Sequence, residues 1–512
     1  MPTATRVIKN TGYLYIKMGV SVFISLYTTR LVLASLGASD FGIFNIVGGA
    51  IAMLGFLNST MANATQRFMS YAEGGGDLEQ KRQVFNVSIL LHVAIAILTV
   101  LILLALLPWM FQSILNIPPD RIFAAKCIYC SLIVSTMLTI VNVPYDAVMN
   151  AHENMLYYSI IGIFEALLRL GVALVCVYTQ HDKLIIYGIL MALIPLVTLS
   201  IMKIYCHKKY SECVIAPRKY HDIGLIKQIA SFSCWNFLTA VSSLFTAQGI
   251  GIVLNHFFGT ILNAAQAVAN QLNGQLSAFS ANMMKALNPV IVKDAGAGDI
   301  NAMNRAVLSG CKFSTYLTAI FAVPFIIEMP YILQLWLKDV PEWTIVFCRF
   351  QLIQTMLLKM ADSASTAVYA TGNIKRYAIY KSLVNIIPLL LVYVAFRLGG
   401  SPVWLYIPMI AVWAIGGNIV IIHYACRLCG LSVRSYIRYV LCPCFVVIAI
   451  MFVVGYLPLI WLNSSIWRAL LCASATTISM FVSMWFIGLT STERNATLRM
   501  LSNICHRNKK LQ

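Results

Sequence analysis

The sequence predicts an all-α polytopic membrane protein of about 14 transmembrane helices, arranged as two six-helix lobes followed by two C-terminal helices. Composition is the first reason. Of 512 residues, 60% are hydrophobic and 11% charged, and the mean hydropathy is +0.79. A soluble domain carries roughly 45–50% apolar and about 25% charged residues. The second reason is that the apolar residues gather into runs of membrane length. The third is an internal repeat that divides those runs into two equivalent sets. What remains is short loops and a short tail, with no room for a soluble catalytic domain.

Taken in order, the apolar segments are 12–35, 41–64, 85–108, 122–146, 155–178, 184–206, 229–254, 261–284, 305–328, 343–366, 376–398, 403–426, 436–458 and 467–489. Very short links join segments 1–2, 7–8 and 11–12, which predicts antiparallel hairpins. The longest hydrophilic stretch between spans is His207–Gln228, rich in Lys and Arg. The expected organisation is therefore an N-terminal lobe over 1–206, a linker over 207–228 and a second lobe over 229–430. Two further helices over 431–490 and a tail over 491–512 complete it. The first apolar run carries Lys17 and Arg30 and is not followed by a small-residue cleavage site, so it is expected to stay as a membrane helix.

The formal charge of +19 would suggest nucleic acid in a soluble chain, but its placement assigns it to topology. With a cytosolic N-terminus, 25 basic residues fall on the cytosolic side and 5 opposite. Both termini are then cytosolic, and no nucleic-acid partner is called for. The 14 cysteines are scattered, several within apolar runs (Cys176, Cys348, Cys472). That pattern fits small buried hydrophobes better than a disulfide framework.

The repeat runs at an offset of 222 residues. Gly37 falls on Gly259, each in the link after the first helix of its half. Gly74, Gly76 and Asp77 fall on Gly296, Gly298 and Asp299. Further on, Ala147-Val148 and Tyr157 match Ala367-Val368 and Tyr377 at an offset of 220. Six spans per repeat keep both copies in one orientation, related by an axis along the membrane normal.

Charges deep in spans carry the functional signal, because each costs roughly 2.5–3.5 kcal/mol at a helix centre. Glu165 and Arg169 sit near the middle of segment 5, and their i, i+4 spacing puts them on one face. Lys359 and Asp362 form an i, i+3 pair in segment 10. Each pair reads either as a neutralised lock between helices or as a cavity wall. In the second reading the acid exchanges a proton or cation and the base meets an anionic substrate. Lys17 and Arg30 lie about five residues from opposite ends of segment 1 and could snorkel or line a cavity. They are about 220° apart around a helix, so a straight helix does not point both the same way. In segment 8, Gln266, Asn270, Asn273, Ser277 and Ser280 form one polar stripe, with Lys285 near its end. The stripe reads as helix-to-helix glue or as a surface for a sugar-bearing ligand. His423, Cys426 and Cys429 share one helical face, but three ligands at a helix end do not predict a metal site, and no cofactor is expected.

Several of these stretches resemble the polysaccharide flippases of the multidrug/oligosaccharidyl-lipid/polysaccharide exporter superfamily, in particular O-antigen and exopolysaccharide translocases. They are Thr29-Arg30-Leu31, Leu36-Gly37 with Phe41-Gly42, and Gln66-Arg67-Phe68. Val143-Pro144-Tyr145-Asp146-Ala147 with Ala151-His152-Glu153, and Glu165–Leu170, complete the likeness. The resemblance implies a V-shaped, two-lobed transporter in the bacterial inner membrane that flips a polyprenyl-diphosphate-linked oligosaccharide outward by alternating access. It also implies an Na+ or H+ gradient as the drive, a cationic cavity for the diphosphate, contact with membrane lipids, and a polysaccharide polymerase as a working partner. By resemblance Arg30 and Arg169 are the cavity cations and Glu165 the coupling acid. Lys17, Lys359, Gln266, Asn270, Asn273 and Lys285 are further substrate-facing candidates, and Asp362 a second ion-coupling candidate. The competing readings are a cation-coupled multidrug or metabolite exporter of the same superfamily, a peptidoglycan-precursor flippase, and a membrane-embedded polymerase. The last needs acidic or histidine-bearing outer loops. Pro330–Glu342, the longest such loop, offers only Asp339 and Glu342, so an enzyme is not expected.

Overall fold

The structure is a computed structural model that describes residues 3–52, 55–114, 117–337, 339–491, 493–495 and 498. The described residues are helical or in short turns, with no strand among them. The helices are α1 (Thr3–Ala52), α2 (Gly55–Gly75), α3 (Leu78–Trp109), α4 (Ile122–Ala151), α5 (Met155–Tyr178), α6 (Lys183–Lys209), α7 (Ile223–Gly296) and α8 (Ile300–Leu337). There follow α9 (Thr344–Lys359), α10 (Asp362–Ala370), α11 (Lys375–Arg397), α12 (Tyr406–Pro408), α13 (Gly417–Cys429), α14 (Val433–Tyr436), α15 (Cys442–Trp461) and α16 (Ile466–Ser483). Most of the expected tail lies outside the described residues.

Among the described residues, 11 stretches are long and apolar enough to cross a membrane. The other three expected spans are present as helix but are not counted separately among those 11. The second, expected over 41–64, is shared between the end of α1 and the start of α2. The eighth is continuous with the seventh inside the 74-residue α7. The tenth is two helices, where the sequence predicted one over 343–366: α9 ends at Lys359 and α10 begins at Asp362. Hydropathy averages over a two-residue interruption and cannot register it.

Local chemistry accounts for the breaks. Gly37 (φ 77°) interrupts α1 and Gly259 (φ 76°) interrupts α7, both left-handed conformations that favour glycine. The repeat noted above is thus written into the backbone, and it recurs at Gly76 (φ 77°) and Gly298 (φ 74°). After each of these last two, an aspartate starts the next helix. Asp77 accepts from the Glu79 N–H at 3.0 Å, and Asp299 from the Ala302 N–H at 2.8 Å.

The chain divides into two compact units. One spans Lys9–Phe237 with Gly296–Gly298; the other holds Leu238–Ala295, the residues from Asp299 onward and the first few residues. In the first unit, Ile43, Val47, Ile128, Tyr129 and Leu184 form a buried core. Gly188 lets α6 approach α4 so closely that a Cβ there would sit 2.9 Å from Ile128. At one end of this unit Arg121 clasps two carboxylates, donating to Asp182 at 2.7 Å and to Asp40 at 2.9 Å. Burial raises the Asp182 carboxyl, but hydrogen bonds from Arg121 and from the Ile185 and Leu184 N–H groups outweigh it and hold Asp182 below the usual carboxylate range.

At the opposite end the expected linker is packed down rather than loose. Asn86 donates to the Val214 carbonyl at 2.8 Å and accepts from the Ala216 N–H at 2.8 Å, while Arg82 donates to the Ser211 carbonyl at 3.2 Å. His152 meets a carboxylate at each ring nitrogen, Glu212 at 2.5 Å and Glu73 at 3.4 Å. Lys81 pairs with Glu73 at 2.7 Å.

In the second unit the C-terminal helices are fastened to α8 at two points. Arg468 of α16 grips Glu328 with two hydrogen bonds of 2.7 Å, where α8 leaves helical geometry between Pro324 and Pro330. Lys312 of α8 meets Glu493, beyond α16, at 2.5 Å.

Candidate functional site

In the first unit the broken α1, α5 and α6 enclose a cavity of about 400 Å³. Two helical periodicities build it. Lys17, Ser21, Ser25 and Thr28 recur at i, i+4, i+8 and i+11 along one face of α1. Gly162, Glu165, Ala166 and Arg169 do the same at i, i+3, i+4 and i+7 on α5. Tyr187 and Met191 of α6 close the side. A polar stripe therefore faces a charged stripe across the cavity, within helices that are otherwise apolar.

The charged groups are mutually arranged. Arg169 donates to Glu165 at 2.7 Å, and both side chains are open to the cavity, 50% and 38% exposed. The Lys17 ammonium lies over the Tyr158 ring, 4.3 Å from its centroid. Gly162 is what admits Lys17, since a Cβ at that position would collide with the lysine stem. Asp146 of α4 falls within electrostatic range of Tyr158, as does Glu165.

The Glu165–Arg169 pair is formed within one helix, α5. A solvated i, i+4 pair is worth about 0.3–0.5 kcal/mol. Placing one charge at a span centre costs roughly 2.5–3.5 kcal/mol.

Lys17 thus lines the cavity. Arg30 does not; it is exposed on another face of α1, as the 220° separation requires. Ser21 and Ser25 line the cavity in addition to the residues the sequence singled out, while Tyr158 and Asp146 lie outside that lining. The i, i+4 spacing of Lys17, Ser21 and Ser25 was the available signal.

The second-unit candidates are placed differently. Lys359 pairs with Asp362 at 2.9 Å across the α9–α10 break. The lysine ends one helix and the aspartate begins the next, each at the helix end that favours its charge. Backbone freed by the break is satisfied from elsewhere. Asn418 donates to the Leu357 carbonyl at 2.6 Å and Tyr436 to the Met360 carbonyl at 3.0 Å. In the stripe on α7, Gln266 accepts from Tyr406 at 2.8 Å and Asn273 accepts from Thr355 at 2.7 Å, so both join helices. Asn270 is exposed, and Lys285 is half-buried.

At the repeat offset, the first-unit site falls on Thr239, Ser243, Ser382, Asn385 and Leu389. There Asn385, fully buried, donates to Ser243 at 2.8 Å and to Ser242 at 3.1 Å, and Thr246 donates to its carbonyl at 2.9 Å. A neutral hydrogen-bonded cluster thus occupies the position that is a charged cavity in the first half.

No family profile matches the chain, and no curated protein matches its sequence significantly. Solved structures do. A mutant MATE transporter superimposes with a TM-score of 0.72 at 14% identity, covering 84% of this chain and 96% of its own. An outward-facing multidrug resistance MATE family transporter of the MOP superfamily gives 0.69 at 13% identity, with 84% and 97% covered. A MOP superfamily transporter from Pyrococcus furiosus, described by a binding pocket of reverse polarity suggesting a different function, gives 0.68 at 14% identity, with 83% and 94% covered. The fold of this chain is the MATE fold, carried by an all-helical, multi-pass membrane protein.

Proposed function

We propose that this protein is a transporter that flips a polyprenyl-diphosphate-linked oligosaccharide across the bacterial inner membrane by alternating access, coupled to an H+ or Na+ gradient. The observation that carries the reading is the membrane-embedded cavity in which Lys17 and Arg169 outnumber Glu165. Two cations against one carboxylate favour an anionic ligand, and a diphosphate is the anion that a lipid-linked sugar presents. Arg169 offers a planar fork suited to phosphate oxygens, and Lys17 a point charge beside an aromatic face. The serine and threonine stripe on α1 supplies hydrogen bonds for neighbouring hydroxyls.

Glu165 and a substrate anion compete for Arg169. An anion seated on the guanidinium loosens its hold on Glu165 and so favours a proton or sodium ion on that carboxylate. By linkage, the ion favours the anion equally. Such coupling is what a gradient-driven step needs. Two C-terminal helices fastened to α8 add apolar surface beyond twelve spans, which suits a lipid-tailed cargo.

The second reading is a cation-coupled multidrug or metabolite exporter, favoured by the likeness in fold to MATE transporters. One experiment separates the two. The sidedness of lipid-linked oligosaccharide is measured in cells depleted of the protein, with a membrane-impermeant sugar-modifying reagent. Accumulation on the cytosolic leaflet, relieved by the wild type but not by Arg169→Ala at equal protein level, supports flipping. A normal distribution without the protein turns the assignment to the exporter. Glu165→Gln should retain protein level and change the ion dependence of transport.

A further inference from the structure

We infer that the first unit carries a binding site for an anionic phospholipid on the outer surface of α5 and α6, separate from the transport cavity. A groove of about 360 Å³ is lined by Tyr157, Ile201, Ile204, Tyr205, Lys208 and Lys209. It lies where α6 ends, so its parts are graded along the membrane normal. Ile201 and Ile204 belong to the apolar span, Tyr205 sits one turn nearer the end, and Lys208 and Lys209 close the helix. Ile201, Tyr205 and Lys208 follow i, i+4, i+7 spacing and so share one face.

This order is that of a phospholipid met side-on. An acyl chain runs along Ile201 and Ile204, the glycerol region crosses the tyrosines, and the phosphate reaches the two lysines. Aromatic side chains favour the headgroup boundary, and basic residues just beyond a span attract anionic headgroups. The tyrosine wall is built rather than incidental. Tyr157 and Tyr205 stack with ring centroids 3.6 Å apart. Asn154, the N-cap of α5, fixes the pair by donating to Tyr205 at 2.7 Å and to Tyr210 at 3.0 Å.

The two lysines also differ from their neighbours. Lys81 is paired with Glu73, and Arg82 donates to the linker. Among the described residues, neither Lys208 nor Lys209 has an ion-pair partner, and both are exposed. An anion from outside the chain completes the arrangement.

The test uses the full-length chain, delipidated in detergent and mixed with phosphatidylglycerol or phosphatidylcholine. Retained lipid is counted by native mass spectrometry. Retention of phosphatidylglycerol over phosphatidylcholine is expected, and the Lys208→Gln/Lys209→Gln double variant should weaken it about 30-fold, the effect of two near-surface cations. A Lys219→Gln/Lys227→Gln control, with equal loss of charge away from the groove, should leave retention unchanged. Equal retention of both lipids, or equal loss in the control, would overturn the site. Displacement of the lipid by millimolar inorganic phosphate would make the ligand a free phosphate and overturn its assignment to lipid. Both lysines are exposed, so the double variant folds, which an unchanged melting temperature verifies.

Discussion

Replacing Gly162 by alanine sets stability against function. A methyl group at this position collides with the stem and ammonium of Lys17. Nothing rigid stands in the way, because the colliding atoms are the far end of a flexible side chain. Lys17 therefore swings away and α5 is undisturbed. Alanine in a helix interior is worth roughly 0.5–1 kcal/mol over glycine. The cation–π contact with Tyr158 that Lys17 gives up is worth about 0.5–2 kcal/mol. These nearly cancel, so the melting temperature should move by only a few degrees in either direction. The cavity fares differently. A hydrogen bond to a charged group contributes about 1.5–3 kcal/mol, so displacing Lys17 from an anion weakens binding roughly 10- to 150-fold. Transport measured at low substrate should fall by that order while protein level and melting are retained. Lys17→Ala should reproduce the transport loss. Full transport in Gly162→Ala, with Lys17 shown to be displaced, would refute the assignment of Lys17 to the substrate. A large drop in melting temperature would refute the claim that the helix is undisturbed.

Arg468→Ala leaves Glu328, 1% exposed, without its two hydrogen bonds from the guanidinium, and breaking a buried pair on one side costs about 3–5 kcal/mol. Thermal unfolding in detergent should shift down clearly, and Glu328→Gln/Arg468→Ala should recover part of it; equal stability of all three forms would show the pair to be dispensable. Glu212 sits outside the spans. Burial raises its carboxyl, but the hydrogen bond from His152, with Lys81 nearby, brings it below its ordinary value. A lowered carboxyl stabilises the fold fully above about 4.3, its unfolded value, and that contribution is lost as pH falls through the lower folded value. Hydrogen exchange over Ser211–Ala216 should therefore accelerate in that acid window, and Glu212→Gln should exchange fast at neutral pH with no further acid step.

Much of the architecture was legible from hydropathy and repeats. Runs of membrane length mark the helices, and Gly37 and Gly259 mark equivalent breaks because a left-handed φ leaves a residue-type signature. The Glu165–Arg169 pair was legible too, since charge in an apolar helix is conspicuous and i, i+4 spacing is local. What sequence could not supply is rotation and partnership. Choosing between Lys17 and Arg30 requires knowing which face of α1 meets α5, and the absence of a side chain at Gly162 decides it. The α7 stripe read equally well as a ligand surface. Its binding to Tyr406 and Thr355, 140 and 82 residues away from Gln266 and Asn273, is visible only in three dimensions. Glu328 and Arg468, also 140 residues apart, found each other the same way.

The neutral cluster around Asn385 has a consequence for how the two halves respond to substitution. The halves repeat at an offset of about 220 residues, yet the equivalent positions hold Glu165 and Arg169 in one and Asn385 and Leu389 in the other. The charged copy lines a cavity, and the neutral copy is joined by hydrogen bonds between helices. Substitutions at matched positions should then separate into two phenotypes, lost activity on one side and lost folding on the other. The stoichiometry follows as well: this position carries one carboxylate per molecule, where two identical halves would carry two.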